Sequence, residues 1–248
     1  MKVVAAIPAR YHSSRFEGKA LVEIHGKPLI EWVYRQTVKS RLINKTFVAT
    51  DDIRIFEAVS SFGCQAIMTS PNHKTGTDRI AEAIKEVTAD IVVNVQGDEP
   101  LITPNVIDGV IQPLLDNPEL QMATAACEIK DKEDLDNPNV VKVTMDRNNF
   151  ALYFSRSKIP YHRESHGTSN VYKHLGLYSF RKEFLGRFTD LPQGELEKAE
   201  SLEQLRVLEN GYKLKVIKTA YDGIGVDTKE DLDKVVQRIS QLQKSENQ

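Results

Sequence analysis

Arg10, Arg15 and Lys19 stand in one short polar segment, Pro8-Ala9-Arg10-Tyr11-His12-Ser13-Ser14-Arg15-Phe16-Glu17-Gly18-Lys19, with the hydroxyls of Ser13 and Ser14 between them. Cations and backbone N–H groups gathered in so short a loop suit a polyphosphate, because together they neutralise its charge. Solvated surface loops have the same composition, so position has to decide. The segment follows an apolar run, Val3 to Ile7, and in open α/β sheets ligands bind beyond the carboxyl ends of the strands. A second polar segment, His73-Lys74-Thr75-Gly76-Thr77-Asp78-Arg79, precedes a helical pattern and either lines a nucleotide pocket or is a capped turn.

Asp98 follows the buried-looking run Ile91 to Val95 and sits beside Gly97, which admits a close ligand. A carboxylate there suits Mg²⁺, a hard cation that takes oxygen donors. Asp227 lies just past Gly225, ahead of a helix, where a negative charge is stabilising by itself. Taken alone, each acid serves equally well as a cap or a surface charge, and so do Asp51 and Asp52. Several chemistries are disfavoured. Gly18-Lys19 is followed by Ala20, and Ser13 stands where a Walker A loop has its first glycine. Gly223-Ile224-Gly225 resembles the start of a dinucleotide fingerprint, but Thr228 occupies the place of the last glycine. Zinc spacing of His and Cys and a G-x-S-x-G elbow are both absent from the sequence.

These residues need elements to hold them. Strands are expected at Val3 to Ile7 (ending at Pro8), Thr46 to Thr50, Gln65 to Thr69 and Asp90 to Val95. Helices are expected from Pro28 to Val38, Ile53 to Phe62 and Asp78 to Val87, with Thr103 and Pro104 opening another. This alternation predicts βαβ units and a mostly parallel sheet flanked by helices. The pattern then turns antiparallel or mixed, with strands at Asn139 to Asp146 and Phe150 to Ser155 around Arg147-Asn148-Asn149, and another at Tyr172 to Phe180. Residues 172, 174 and 178 share one face of that strand, since side chains alternate with period two. Helices follow at Arg181 to Phe188 and Glu195 to Asn210, then a strand at Lys213 to Thr219 and a final helix capped by Thr228 with Asp231. The expected organisation is a single α/β domain over residues 1–248, carrying a mixed insertion at about residues 128–212.

Composition bounds the partners. The 248 residues carry 33 Lys+Arg and 35 Asp+Glu, a formal net charge of −2. That balance argues against nucleic acid or an anionic membrane as a general partner and leaves room for a local basic site. Two cysteines, Cys64 and Cys127, are too few for a disulfide framework and read as reduced core thiols. No apolar run approaches the ~20 residues of a membrane helix, and the apolar opening is too short for a signal peptide. A cytoplasmic globular protein is the expectation.

Motifs in order along nearly the whole chain resemble those of the 3-deoxy-manno-octulosonate (Kdo) cytidylyltransferases. They are Ile7-Pro8-Ala9-Arg10-Tyr11-His12-Ser13-Ser14-Arg15 with Gly18-Lys19, Thr75-Gly76-Thr77-Asp78-Arg79, and Asn94-Val95-Gln96-Gly97-Asp98-Glu99-Pro100. Ala151-Leu152-Tyr153-Phe154-Ser155-Arg156, Lys173-His174-Leu175-Gly176-Leu177-Tyr178, Leu202-Glu203-Gln204-Leu205-Arg206 and Gly225-Val226-Asp227-Thr228 continue the series. Phe16-Glu17, Asn72 and Thr75 depart from the usual pattern without removing a proposed ligand.

The resemblance implies a nucleotide-diphospho-sugar-transferase-like α/β fold, a homodimer, and transfer of CMP from CTP to the sugar acid for lipopolysaccharide synthesis. It implies Asp98 and Asp227 as Mg²⁺ ligands, Arg10 and Lys19 as phosphate contacts, and Ala9, Thr75, Gly76 and Arg79 in the nucleotide site. Gln96, Arg156, Arg163, His174, Tyr178, Glu203 and Gln204 fall in the sugar site. An 8-amino analogue of the sugar stays open as the acceptor. Without the resemblance, His174 and Tyr178 read equally as core residues, and Glu203, Gln204 and Arg206 as a solvated helix face.

Overall fold

The computed structural model describes residues 1–12, 16–163 and 170–246. They form two compact units, residues 1–108 with 223–248 and residues 109–222. The expected insertion at residues 128–212 falls inside the second.

The first unit begins with β1 (Val3–Ala9), the hairpin β2 (Glu23–Ile24) and β3 (Lys27–Pro28), and α1 (Leu29–Thr37). Then come β4 (Lys45–Thr50), α2 (Ile53–Ser61), β5 (Gln65–Met68), α3 (Gly76–Ala83), β6 (Ile91–Asn94) and the start of α4 (Pro104–Asp116). The second unit takes up β7 (Met122–Glu128), α5 (Lys132–Asp136), β8 (Lys142–Met145), β9 (Ala151–Ser155) and β10 (Tyr172–Arg181). It continues with α6 (Lys182–Asp190), α7 (Glu195–Glu200), α8 (Leu205–Glu209) and β11 (Lys215–Thr219), after which α9 (Lys229–Glu246) belongs again to the first unit.

In the first unit β1 lies between β6 and β4, and β5 flanks β4, every pairing parallel. Val3 to Ile7 are almost wholly buried, as expected of a strand covered on both faces. The strand does not stop at Pro8 but runs to Ala9. Its β6 register ends at Ala6 opposite Asn94, whereas pairing with β4 continues to Ala9 opposite Thr50. Pro8 has the same parity as Ala6, whose carbonyl faces β6 by accepting from the Val95 N–H at 3.2 Å. The missing N–H of Pro8 therefore points where the ladder is already over.

The β2–β3 hairpin has no counterpart in the pattern reading. It turns on His25 and Gly26, both at positive φ (50° and 75°), as a two-residue hairpin requires. Helix α3 starts at Gly76, ahead of the expected Asp78, because Thr75 and Asp78 form a reciprocal capping box. At α9 the expected cap holds, with Asp231 N–H donating to Thr228 Oγ1 at 3.2 Å and Thr228 N–H donating to Asp231 Oδ2 at 3.1 Å.

The second unit is built on β7, parallel to β11 and antiparallel to β10; β10 also pairs with β8, and β8 with β9, both antiparallel. The mixed character was expected, but β7 was not. Its sequence, Met-Ala-Thr-Ala-Ala-Cys-Glu, is rich in good helix formers and shows neither clear alternation nor β-branched enrichment. Burial between two partner strands overrides that propensity.

The single helix expected over Glu195 to Asn210 is broken into α7 and α8, with Ser201 at φ 52°. Arg206 pairs with Glu197 through two contacts, Nε–Oε2 at 2.7 Å and NH2–Oε1 at 2.6 Å, and both residues are buried. On one continuous helix, residues nine apart would sit ~13 Å apart on opposite faces. The break lets them meet, and Glu209 accepts from the N–H groups of Leu196 (2.8 Å) and Glu197 (3.1 Å) at the start of α7.

Candidate active site

The carboxyl edge of the parallel strands in the first unit carries a cavity of about 370 Å³, lined by Ala9, Arg10, Lys19, Thr75, Gly76, Arg79, Gln96, Asp98 and Asp227, among others. The size is adequate for a nucleotide-sized ligand. Arg15 lies outside the described residues, so the three-cation loop is represented by Arg10 and Lys19. Pro8, Ala20, His73, Lys74 and Gly97 complete the wall, and the bulk of it was legible in the loops singled out from sequence.

Lys19 follows Gly18, which has a left-handed backbone (φ 66°) and donates its N–H to the Tyr11 carbonyl at 2.8 Å. Arg54 stacks on the Tyr11 ring, 3.2 Å from its centroid, and holds Asp52, the cap of α2. The Lys19 ammonium donates to Asp98 Oδ2 at 2.6 Å, Asp227 Oδ1 at 3.0 Å and the Val226 carbonyl at 2.9 Å. The two carboxylates, distant in sequence, are brought together because Val226 N–H donates to the Asp98 carbonyl at 2.9 Å. Burial lowers the Lys19 pKa, but Asp98 and then Asp227 more than offset this, and the net shift is upward. The lysine stays charged.

Two carboxylates and a carbonyl converging on one point are hard oxygen donors of the kind Mg²⁺ takes alongside substrate phosphates. No cluster of three or more His, Cys, Asp or Glu that could hold a metal occurs among the described residues.

Arg79 is buried, and its guanidinium donates to Asp51 Oδ2 at 2.8 Å and to Thr69 Oγ1 at 2.6 Å. Asp51, one of the undecided strand-end acids, thus anchors the arginine that lines the cavity. Gly76 and Gly97 keep the floor open. A Cβ on Gly97 would stand 2.6 Å from the Pro8 carbonyl oxygen, and one on Gly76 would stand 3.1 Å from Pro8 Cγ.

In the second unit, His174 and Tyr178 do share a face, with ring centroids 5.4 Å apart. Tyr178 donates its hydroxyl to Gln204 Oε1 at 3.3 Å, and both residues are buried. Burial pushes the His174 imidazole down to about 3. Burial, then the charge of Glu203, drives the Tyr178 hydroxyl well above its usual value. Gln204 Nε2 is buried and has no hydrogen-bond partner among the described residues. Gln204 and Arg206 are thus not on a solvated helix face; the α7–α8 break turns both inward.

Arg156 is committed to backbone: Nε donates to the Glu200 carbonyl at 2.7 Å, NH1 to Pro138 at 2.9 Å and NH2 to Ser201 at 3.4 Å. Beneath it the fully buried Lys142 donates to the carbonyls of Asn137, Val140 and Arg156, each at 2.8 Å. Pattern reading passed over Lys142, since lysines are almost always solvated. Arg163 is exposed and adjoins residues 164–169, which lie outside the described set. Cys64 and Cys127 are free and buried, and burial pushes their thiols up to about 12 and about 11. No helix among the described residues is long and apolar enough to cross a membrane.

A parallel α/β sheet whose carboxyl edge gathers cations, small residues and paired carboxylates defines a nucleotide-handling α/β protein. Residues 4–217 match the family described as Cytidylyltransferase, and the chain belongs to the 3-deoxy-manno-octulosonate cytidylyltransferases within it. The enzyme of that name from Geobacter metallireducens is 51% identical over 253 residues, covering 98% of this chain and 100% of that protein. The one from Fusobacterium nucleatum is 49% identical, covering 97% and 98%. A solved CMP:2-keto-3-deoxy-manno-octonic acid synthetase complexed with CTP superposes with a TM-score of 0.93 at 43% identity, covering 97% of this chain and 99% of that one. The 4-diphosphocytidyl-2C-methyl-D-erythritol synthase of Anaerococcus prevotii, at 16% identity and a TM-score of 0.63, shares the fold.

Proposed function

We propose that this protein couples CTP to 3-deoxy-manno-octulosonate, forming CMP-Kdo and pyrophosphate for lipopolysaccharide synthesis, with Mg²⁺ as cofactor. The observation that carries the reading is the convergence of Asp98, Asp227 and Lys19 at the cavity, in a chain about half identical to named enzymes of this activity. The anomeric hydroxyl oxygen bonds to the α-phosphorus as the bond to the pyrophosphate oxygen breaks. No covalent enzyme intermediate is needed, so positioning and charge neutralisation carry the acceleration.

Arg10 and Lys19 offset charge on the departing pyrophosphate, while Ala9, Thr75, Gly76 and Arg79 frame the nucleotide. Asp98 and Asp227 would hold the metal, which would supply charge neutralisation at the phosphates and a lowered pKa for the attacking hydroxyl. The sugar acid is received by Gln96, Arg163, His174, Tyr178, Glu203 and Gln204. The orphaned Nε2 of Gln204 supports this, because an unpaired buried donor is costly unless a ligand takes it up. Arg156 has N–H groups left after its three carbonyl contacts, and these can reach a carboxylate. The protein acts in the cytoplasm as a homodimer.

The test is pyrophosphate release with CTP, Mg²⁺ and the octulosonate, run against the 8-amino sugar, other sugar acids and the other nucleoside triphosphates. Release with CTP and the octulosonate, abolished by chelation, is expected. CTP binding without turnover on any sugar acid overturns the reading. Sedimentation velocity decides the dimer.

A further inference from the structure

Thr124, on β7, is fully buried, and its hydroxyl oxygen meets three groups: the Leu177 carbonyl at 2.8 Å, the Leu175 carbonyl at 3.2 Å and His174 Nε2 at 2.9 Å. A hydroxyl has one proton, and carbonyl oxygens have none to give. The Thr124 proton therefore goes to the carbonyls, and the imidazole must supply the proton of the third contact. His174 is then the Nε2–H tautomer, which leaves Nδ1 as the acceptor nitrogen of the ring.

The same contacts hold an irregularity in β10. Leu175 is opposite Ala125 and Tyr178 is opposite Thr124, so the register shifts by two residues across Gly176 and Leu177. Four residues along a regular strand span ~13 Å. Here the extra residues loop out, and the His174 and Tyr178 rings close to 5.4 Å. Thr124 reaches both carbonyls at the mouth of that loop.

We propose that Thr124 is a positioning residue of the sugar-acid pocket: by fixing His174 as the Nε2–H tautomer it presents Nδ1 as an acceptor for a sugar hydroxyl and turns it against the sugar carboxylate. Burial keeps the ring neutral, which the acceptor role requires. The pocket's occupant rests on the function proposed above; the tautomer does not.

Nitrogen NMR of the histidine ring, in the whole protein without ligand, reads the tautomer directly. In the wild type, His174 shows a protonated Nε2 and a bare Nδ1. Thr124→Val removes the hydroxyl at nearly constant volume; it mixes the tautomers and raises the KM for the octulosonate about tenfold, leaving the KM for CTP unchanged. Thr124→Ser, which keeps the hydroxyl, restores both readouts and covers the case in which the valine variant folds poorly. A wild-type ring protonated on Nδ1, a Thr124→Val ring with unaltered tautomer, or an unchanged octulosonate KM overturns the proposal. If no sugar acid is turned over, the functional reading fails and the ring spectrum still decides the tautomer.

Discussion

Lys19 Nζ stands 2.6 Å from Asp98 Oδ2, a contact bridging residues 79 apart in sequence. With Asp227 Oδ1 and the Val226 carbonyl also within 3.0 Å, the ammonium occupies the point on which these three oxygens converge. A divalent ion held by Asp98 and Asp227, as proposed above, would compete with the lysine for the same donors. Lys19→Met is therefore expected to bind Mn²⁺ at least tenfold more tightly without nucleotide. Like charges ~4 Å apart oppose each other by roughly 4 kcal/mol at intermediate dielectric, and solvent screening at this partly exposed site leaves a part of that, with about 1.4 kcal/mol sufficing for tenfold. Paramagnetic-resonance titration measures it, and equal or weaker Mn²⁺ binding by the variant refutes the competition. The same variant should raise the KM for CTP.

Gly97 faces a backbone atom that cannot move aside. Its Cβ would lie 2.6 Å from the Pro8 oxygen, on a strand paired to β4 up to Ala9. Gly97→Ala should lower stability by about 1–3 kcal/mol, as overpacking does, and also reduce CTP affinity by shifting the floor of the cavity. A urea midpoint equal to wild type would show that β1 yields more easily than its pairing suggests.

The pair between Arg206 and Glu197 is enclosed on both sides, with side chains 10% and 4% exposed. Arg206→Ala strands a buried carboxylate and is expected to destabilise by ~3–5 kcal/mol. The double variant Arg206→Met, Glu197→Leu should recover most of that, because replacing both charges removes the desolvation cost. Chemical denaturation of the three proteins distinguishes an uncompensated charge from lost packing.

His174 makes stability depend on acid pH. Its folded pKa is about 3 against an ordinary 6.5, so the unfolded chain binds the extra proton first. The contribution is fully present above 6.5 and is lost as pH falls from there toward 3, with a slope of up to ~1.4 kcal/mol per pH unit. His174→Gln should flatten the pH dependence of the urea midpoint between pH 6.5 and 4. Parallel curves for the two proteins would mean that the imidazole titrates normally.

Local pattern determined much of this protein. The apolar runs of β1, β4 and β6 with helices between them announced a parallel sheet, because burial on both faces writes itself as unbroken hydrophobicity. Thr228 with Asp231 announced a helix start, because a capping box needs only residues three apart; Thr75 with Asp78 forms the same box, and it starts α3 two residues ahead of the expected Asp78. The motif at Arg10 to Lys19 and the glycine beside Asp98 pointed to the right edge of the sheet. What needed tertiary structure were the relations whose cause is a distant partner. The alanine-rich β7 is a strand because β10 and β11 flank it. The helix after Gly194 breaks because Glu197 and Arg206 must meet. Asp51 is committed to Arg79, and Lys19 to Asp98, across elements far apart in sequence. His174 and Tyr178 face one way by period two, but the looped-out Gly176 and Leu177, held by Thr124, set their spacing. Short-range spacing is encoded in neighbouring residues; these contacts form only once elements far apart in the chain have packed.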